Sequence, residues 1–275
     1  MKRAVYLLAL LSCSSLANAN DSAAIRLGGR LEFKKTADIA MLTEDLLIST
    51  NKVRVDYTFR NESNQDIEEL IAFPIQEDVW EYDTLEASER ADFIKQYIDG
   101  IDFKLSSSEP TTPVEHELKI DNNVAHVTYH WKQKFPAGKT VTVSHEYQPS
   151  GGFITPSYLA DGDKSHKNFV DEYKNGKEWQ NVIRNYCIEP KLNEWTFQHG
   201  ISVSQVHYIL TTGANWKAPI QHFKLTIKKD TPEQKVSLCA DDIKKIDSST
   251  FQLEKNNFLP TQDLRVLFIN PNVEP

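Results

Sequence analysis

The sequence predicts a mainly β protein made of two antiparallel, sandwich-like units with one or two short helices. Three observations carry that expectation. Apolar and polar residues alternate with period two through several segments, the pattern of a half-buried strand. These runs are short and separated by polar turns, as in sandwiches and open barrels. Only two segments show helical spacing.

The first element is a targeting segment. Lys2 and Arg3 make a positive start, residues 4–11 a short apolar run, and Ala17-Asn18-Ala19 a small-residue exit. Those are the three parts of a secretory signal peptide, with a cut expected after Ala19. The run is far short of the ~20 apolar residues that span a bilayer, and no later stretch of the mature chain reaches that length. Leu10-Leu11-Ser12-Cys13 resembles a lipoprotein box with Cys13 as the lipidated residue, but its flanks fit less well. The expected division is a signal peptide at 1–19, an N-terminal β unit at 20–150 and a C-terminal β unit with a short helix at 151–275.

Val53, Val55, Tyr57 and Phe59 share one face of a strand, and Arg54, Asp56, Thr58 and Arg60 the other. Residues 61–66 read as a polar turn and 67–73 as the return strand, ended by Pro74. Ala125, Val127, Tyr129 and Trp131 alternate with polar neighbours, as do Val141, Val143, His145 and Tyr147 after the turn at 135–139. Read as a hairpin, this sets Trp131 opposite His145 and Tyr129 opposite Tyr147 on one buried face. Further strands are expected at 101–106, 114–120, 203–211, 223–228, 235–239, 250–254 and 264–269. A helix is expected over 85–98, with Asp83 as cap and Gly100 as stop. A second spans 176–187, where Trp179, Val182, Ile183 and Tyr186 share a face before Pro190. Residues 149–176 read as the connector between the two units.

The 31 basic and 39 acidic residues give a net charge of −8. Loss of residues 1–19 removes Lys2 and Arg3 and no acid, which brings it to −10. An acidic surface disfavours nucleic acid and anionic lipid as partners. Of three cysteines, Cys187 and Cys239 remain after cleavage. In an oxidising compartment they read as one disulfide; two separate buried thiols are the alternative.

The order of certain phrases resembles a known family. DIAMLTEDLLIS (38–49) is followed by KVRVDYTFRNESNQDIEELIAFP (52–74), QKFPAGKTVTVSHEYQPSGG (133–152), NYCIEP (185–190) and YILTTGANWKAPIQHFKLTI (208–227). Together they resemble the exported bacterial family catalogued as domain of unknown function 4424. TTGANW and the Cys of NYC are the most specific pieces. The resemblance covers nearly the whole mature chain and implies no activity, because the family has none assigned.

No motif carries chemistry. His126 and His130 share a polar strand face, but no third ligand has matching spacing, so no metal or cofactor is expected. Asp161-Gly162-Asp163 opens like a calcium loop and lacks the rest of the pattern. Gly28-Gly29 is too bare for a phosphate loop. A dyad of Cys187 with His199 or His207 needs a free thiol, which a disulfide would remove. Tyr186, Trp195, Phe197, Asn215 and Trp216 stand near the most specific phrases. They read either as a binding groove, formed by Tyr186, Trp195, Asn215 and Trp216, or as core and turn residues.

The functional expectation is an exported periplasmic protein of the cell envelope, non-catalytic, that binds a ligand or an envelope protein. A structural or assembly role through a protein partner is the first alternative and a cell-wall-directed hydrolase the second.

Overall fold

In the computed structural model, residues 20–27, 30–79, 82–150, 152–154, 174–199 and 201–271 are described. The signal segment with Cys13, the Gly28-Gly29 pair, the Asp161-Gly162-Asp163 turn and the side chain of His199 lie outside them.

The chain is mainly β, with antiparallel sheets. Its elements are β1 (Ser22–Leu27), β2 (Arg30–Phe33), β3 (Ile39–Ile48), β4 (Val53–Asn61), β5 (Ile67–Asp78), α1 (Ala87–Ile101), β6 (Lys104–Ser107), β7 (Glu115–Asp121), β8 (Val124–Phe135), β9 (Thr140–Tyr147) and β10 (Gly152–Ile154), followed by α2 (Lys177–Tyr186), α3 (Pro190–His199), β11 (Ile201–Tyr208), β12 (Ile220–Lys228), β13 (Lys235–Leu238), β14 (Lys244–Lys245), β15 (Thr250–Phe258) and β16 (Leu264–Pro271). Among the described residues they form three sheets. The first has the order β2-β1-β5-β8-β7, the central one β14-β15-β12-β3-β4-β9-β6, and the third β10-β11-β16-β13.

The central sheet is shared. Strands β3, β4, β6 and β9 come from before residue 150, and β12, β14 and β15 from after it. The two sets join where β12 runs parallel to β3, with Leu225 beside Leu46 and Ile227 beside Ile48. The 150/151 boundary therefore falls between β9 and β10, while the central sheet runs across it.

Alternation places the core. Val53, Val55, Tyr57 and Phe59 are buried, as are Val141, Val143, His145 and Tyr147. The expected hairpin of β8 with β9 does not form. β8 pairs with β5 and β7 in the first sheet, and β9 with β4 and β6 in the central one. Trp131 and His145 still meet, with ring centroids 5.0 Å apart, but across the gap between two sheets. Both strands bury one face, so period two fixes which residues point inward and leaves their pairing partner open. For the same reason β4 and β5 are not a hairpin; residues 62–66 cross from one sheet to the other.

Pro74 does not end its strand. β5 continues to Asp78, and Pro74 lies opposite Thr128 of β8. On the other side, β1 pairs only with residues 70–72 of β5. Pro74 thus sits where the strand has a partner on one side only, the position in which a sheet tolerates proline.

The third sheet uses both faces. Val206, Tyr208, Val266 and Phe268 join the main core, which is continuous through all three sheets. Val203, Leu267 and Ile269 lie on the other face under Trp179, Tyr186 and Ile188 of the α2–α3 region. Helix α2 ends at Cys187 in the left-handed region (φ 52°). Pro190 opens α3, the helix that the sequence pattern missed, where its fixed φ suits a first turn. Helix α1 is capped by Glu86 with Glu89 in a reciprocal box rather than by Asp83, and stops at Asp102 (φ 45°) rather than at Gly100.

Candidate functional site

The outward face of the central sheet carries polar side chains in rows, because each register brings like positions side by side. Thr43 lies opposite Thr58 and Asp45 opposite Asp56. Thr58 lies opposite Thr142 and Asp56 opposite Ser144, and Ser144 opposite Ser106 of β6. The two rows, about 4.8 Å from strand to strand, line a concavity of about 510 Å³ together with Ser107 and Ser108. Its polar groups are hydroxyls and carboxylates, and Tyr57 and Val143 complete the lining.

The two carboxylates are held in place. Lys224 Nζ is 3.2 Å from Asp45. Arg54 donates through Nε and Nη2 to Asp56, both at 2.9 Å. Burial alone would raise the Asp56 carboxyl, but hydrogen bonds from Arg54 and Ser144 and the guanidinium charge hold it below the usual carboxylate range. Asp56 is thus a fixed acceptor at neutral pH, and the serines and threonines around it can donate or accept.

Behind this face lies a polar cluster sealed in the core. Asn20, Asp21, Glu44 and His145 are each at most 1% exposed. His145 Nε2 is 2.9 Å from Asp21 Oδ2. Its ring stacks against Phe73 at 5.0 Å and Phe103 at 5.4 Å, with Tyr57 edge-on at 5.6 Å. Burial raises the Asp21 carboxyl, opposed by the His145 charge and hydrogen bond. Asn20 Nδ2 donates to Glu44 Oε2 (2.9 Å) and Tyr208 donates to Glu44 Oε1 (3.2 Å). Tyr57 donates to Asn20 Oδ1, and its hydroxyl is 2.9 Å from that of Tyr208. Burial pushes Glu44 up to about 8, against the hydrogen bonds it accepts.

Cys187 and Cys239 form a disulfide. This removes the thiol that a dyad with His207 would require. The four residues singled out for a groove fall into two separate places. Tyr186 is buried under α2, and its hydroxyl donates to Gln205 and lies 2.7 Å from His207 Nε2. Trp195 packs in the same helical cluster, with Lys235 Nζ 5.2 Å from its ring centre. Trp216 is buried in the main core against Phe59 (4.5 Å), and its Nε1 donates to the Asp21 carbonyl. Asn215 donates to Ser22 Oγ. Each aromatic satisfies its own local packing, so the two pairs belong to separate cores. His130 is buried beside Arg26 (3.1 Å) rather than solvated. Among the described residues no group of three or more His, Cys, Asp or Glu is arranged to hold a metal ion.

The sequence pattern showed Asp56, Thr58, Thr142 and Ser144 pointing away from the core, which is half of the concave face. It missed Thr43 and Asp45, because β3 carries an irregular register between Met41 and Thr43 that breaks the alternation. It also missed Asn20 and Glu44, where polar residues occupy core positions.

Fold and site together define a β-sandwich protein with a polar concave sheet face and a sealed acidic cluster behind it. A family model described as Domain of unknown function (DUF4424) matches residues 19–106 and 115–267, and the chain belongs to that family. No curated protein matches it. Among solved structures, a putative nutrient binding protein from Legionella pneumophila is similar over 91% of this chain and 70% of that one, at 16% identity and a TM-score of 0.52. At that identity the likeness is one of fold. Two M1 zinc metallopeptidase structures from Deinococcus radiodurans overlap 85% of this chain and 43% of theirs, at 10% and 12% identity and TM-scores of 0.30 and 0.28, too low to carry an argument. No helix among the described residues is long and apolar enough to cross a membrane.

Proposed function

We propose that this is an exported, periplasmic, non-catalytic binding protein whose ligand is a small polyhydroxylated molecule seated on the concave face of the central sheet. The observation that carries the reading is the concavity of about 510 Å³, lined by serine and threonine residues around Asp45 and Asp56. Its volume is in the range of small-molecule sites. Closely spaced hydroxyls flanking fixed carboxylates offer the alternating donors and acceptors that a sugar or polyol uses. Export rests on the charged start, short apolar run and Ala17-Asn18-Ala19 exit of the first residues. A disulfide is in keeping with an oxidising compartment. The Legionella neighbour, a putative nutrient binding protein, points in the same direction.

Calorimetric titration of the oxidised mature chain with mono- and oligosaccharides tests this. Saturable binding that is lost in Asp56→Asn and in Thr58→Val supports it. Binding that survives both substitutions, or none across the panel, overturns the site.

A second reading is assembly with a protein partner. Ile25 and Leu27 are 42% and 50% exposed on β1, beside the edge strand β2 of the first sheet. Cross-linking in intact envelopes through a photoreactive group at position 27 separates the two, since a specific protein adduct belongs to this reading alone.

A further inference from the structure

The first described residue lies inside the protein. Asn20 is 0% exposed. Its backbone N–H donates to Thr212 Oγ1, and that hydroxyl donates back to the Asn20 carbonyl at 2.9 Å. The next two residues are gripped by the same turn: Trp216 Nε1 donates to the Asp21 carbonyl, and Asn215 Nδ2 to Ser22 Oγ. A Cβ on Gly213 would stand 2.8 Å from Asn20 Nδ2, so glycine at this position is what lets Asn20 enter. The TTGANW phrase is thus a socket built around residues 20–22.

The socket holds more acceptors than donors. Glu44 is fully buried, and the hydrogen bonds it receives come from the neutral groups of Asn20 and Tyr208. Asp21 Oδ1 is buried and accepts no hydrogen bond among the described residues. A buried carboxylate without a cation is costly, and removing one partner of a buried pair is strongly destabilising. The cluster has two carboxylates and, in His145, one ionisable base.

We propose that cleavage after Ala19 turns Asn20 into an internal cation, its α-ammonium seated in the Thr212–Gly213–Trp216 socket and neutralising the Glu44 and Asp21 carboxylates. The inference rests on the export reading, which supplies the cut. In that step a membrane signal peptidase adds water across the Ala19–Asn20 peptide bond. The hydroxyl goes to the Ala19 carbonyl carbon and the proton to the Asn20 nitrogen, which takes a second proton from solvent. One N–H donor becomes three. Removal of a leader thereby adds an interaction that the uncut chain lacks, a known form of switching by proteolysis.

The test compares two oxidised proteins made from fusions: one cut so that Asn20 is the first residue, one with Gly-Ser left ahead of it. The extended form is expected to melt about 5–10 °C lower at pH 7, and Glu44→Gln is expected to shrink that difference by at least half. Equal melting temperatures overturn the proposal. Should the extended form not fold, the cut form alone decides: a ¹⁵N-labelled α-amine whose titration moves with Glu44→Gln supports the pairing, and one that titrates at the ordinary ~7.7–8.0 in both proteins overturns it. Intact mass of the protein recovered from the periplasm tests the export reading separately. A start other than Asn20 refutes the cut, whereas a start at Asn20 with equal melting temperatures refutes only the internal cation.

Discussion

The two sandwich-like units share one sheet and close in different ways. In the first, large rings interlock across the gap: Phe73, Phe103 and Trp131 surround His145, and Phe135 meets Phe59 edge-on at 5.9 Å. In the second, Leu210, Phe223, Leu253 and Leu264 converge on a cleft of about 300 Å³ that stays open. That unit is tied at the cleft itself, which Cys239 helps to line, by the Cys187–Cys239 bond, which joins the end of α2 to the end of β13. A dense aromatic core sustains itself by burial, whereas a thinner one is supplemented by a covalent tie.

Core truncation breaks the first unit hardest. Trp131→Ala should cost ~3–5 kcal/mol by urea unfolding, with Leu253→Ala, beside the open cleft, toward the low end of the ~2–5 kcal/mol range for buried leucine. Acid–base titration probes the shared boundary next. Glu44 sits at about 8 in the folded protein against an ordinary 4.5. The folded state therefore holds this proton more tightly than the unfolded chain. Its contribution is full below pH 4.5 and is lost as pH rises through 8, on the order of 5 kcal/mol for a chain still carrying residues ahead of Asn20. Glu44→Gln should flatten that part of the stability–pH profile. The disulfide sharpens the comparison: it closes a separation of 52 residues, and the Cys187→Ser/Cys239→Ser pair should cost ~3–4 kcal/mol. Hydrogen exchange should then rise in α2, α3 and β13 before it rises in β4 or β9. Asp56→Asn should move stability by less than ~0.5 kcal/mol, as an exposed substitution does, while abolishing ligand binding.

Much of this was legible in the residues. Period two named the inward residues of β4, β8 and β9 correctly, because burial on one face is a local constraint. Strand partners were not legible, since β8 with β5 and β9 with β4 obey the same alternation as β8 with β9. The disulfide followed from the count of cysteines and the expected compartment. Of the candidate site, the outward row Asp56–Thr58 and Thr142–Ser144 was visible, but its other half, Thr43 and Asp45, lies on β3, where the register shift between Met41 and Thr43 breaks the alternation. The aromatic residues near TTGANW read alike as groove or as core for a physical reason: buried tryptophan and tyrosine need hydrogen-bond partners, so they resemble ligand anchors in composition.

The parallel seam between β3 and β12 also sets an order of events. Asp45 and Lys224, neighbours across it, are 179 residues apart in the chain. Closing so long a loop is entropically slow, and contacts of this separation are the late, rate-limiting kind. A nascent chain stopped before residue 220 leaves β3 as a bare sheet edge, open to pairing with any other strand it meets. The protein can complete its central sheet only once nearly all of the chain is available, so β3 is the edge that must stay unpaired until β12 arrives.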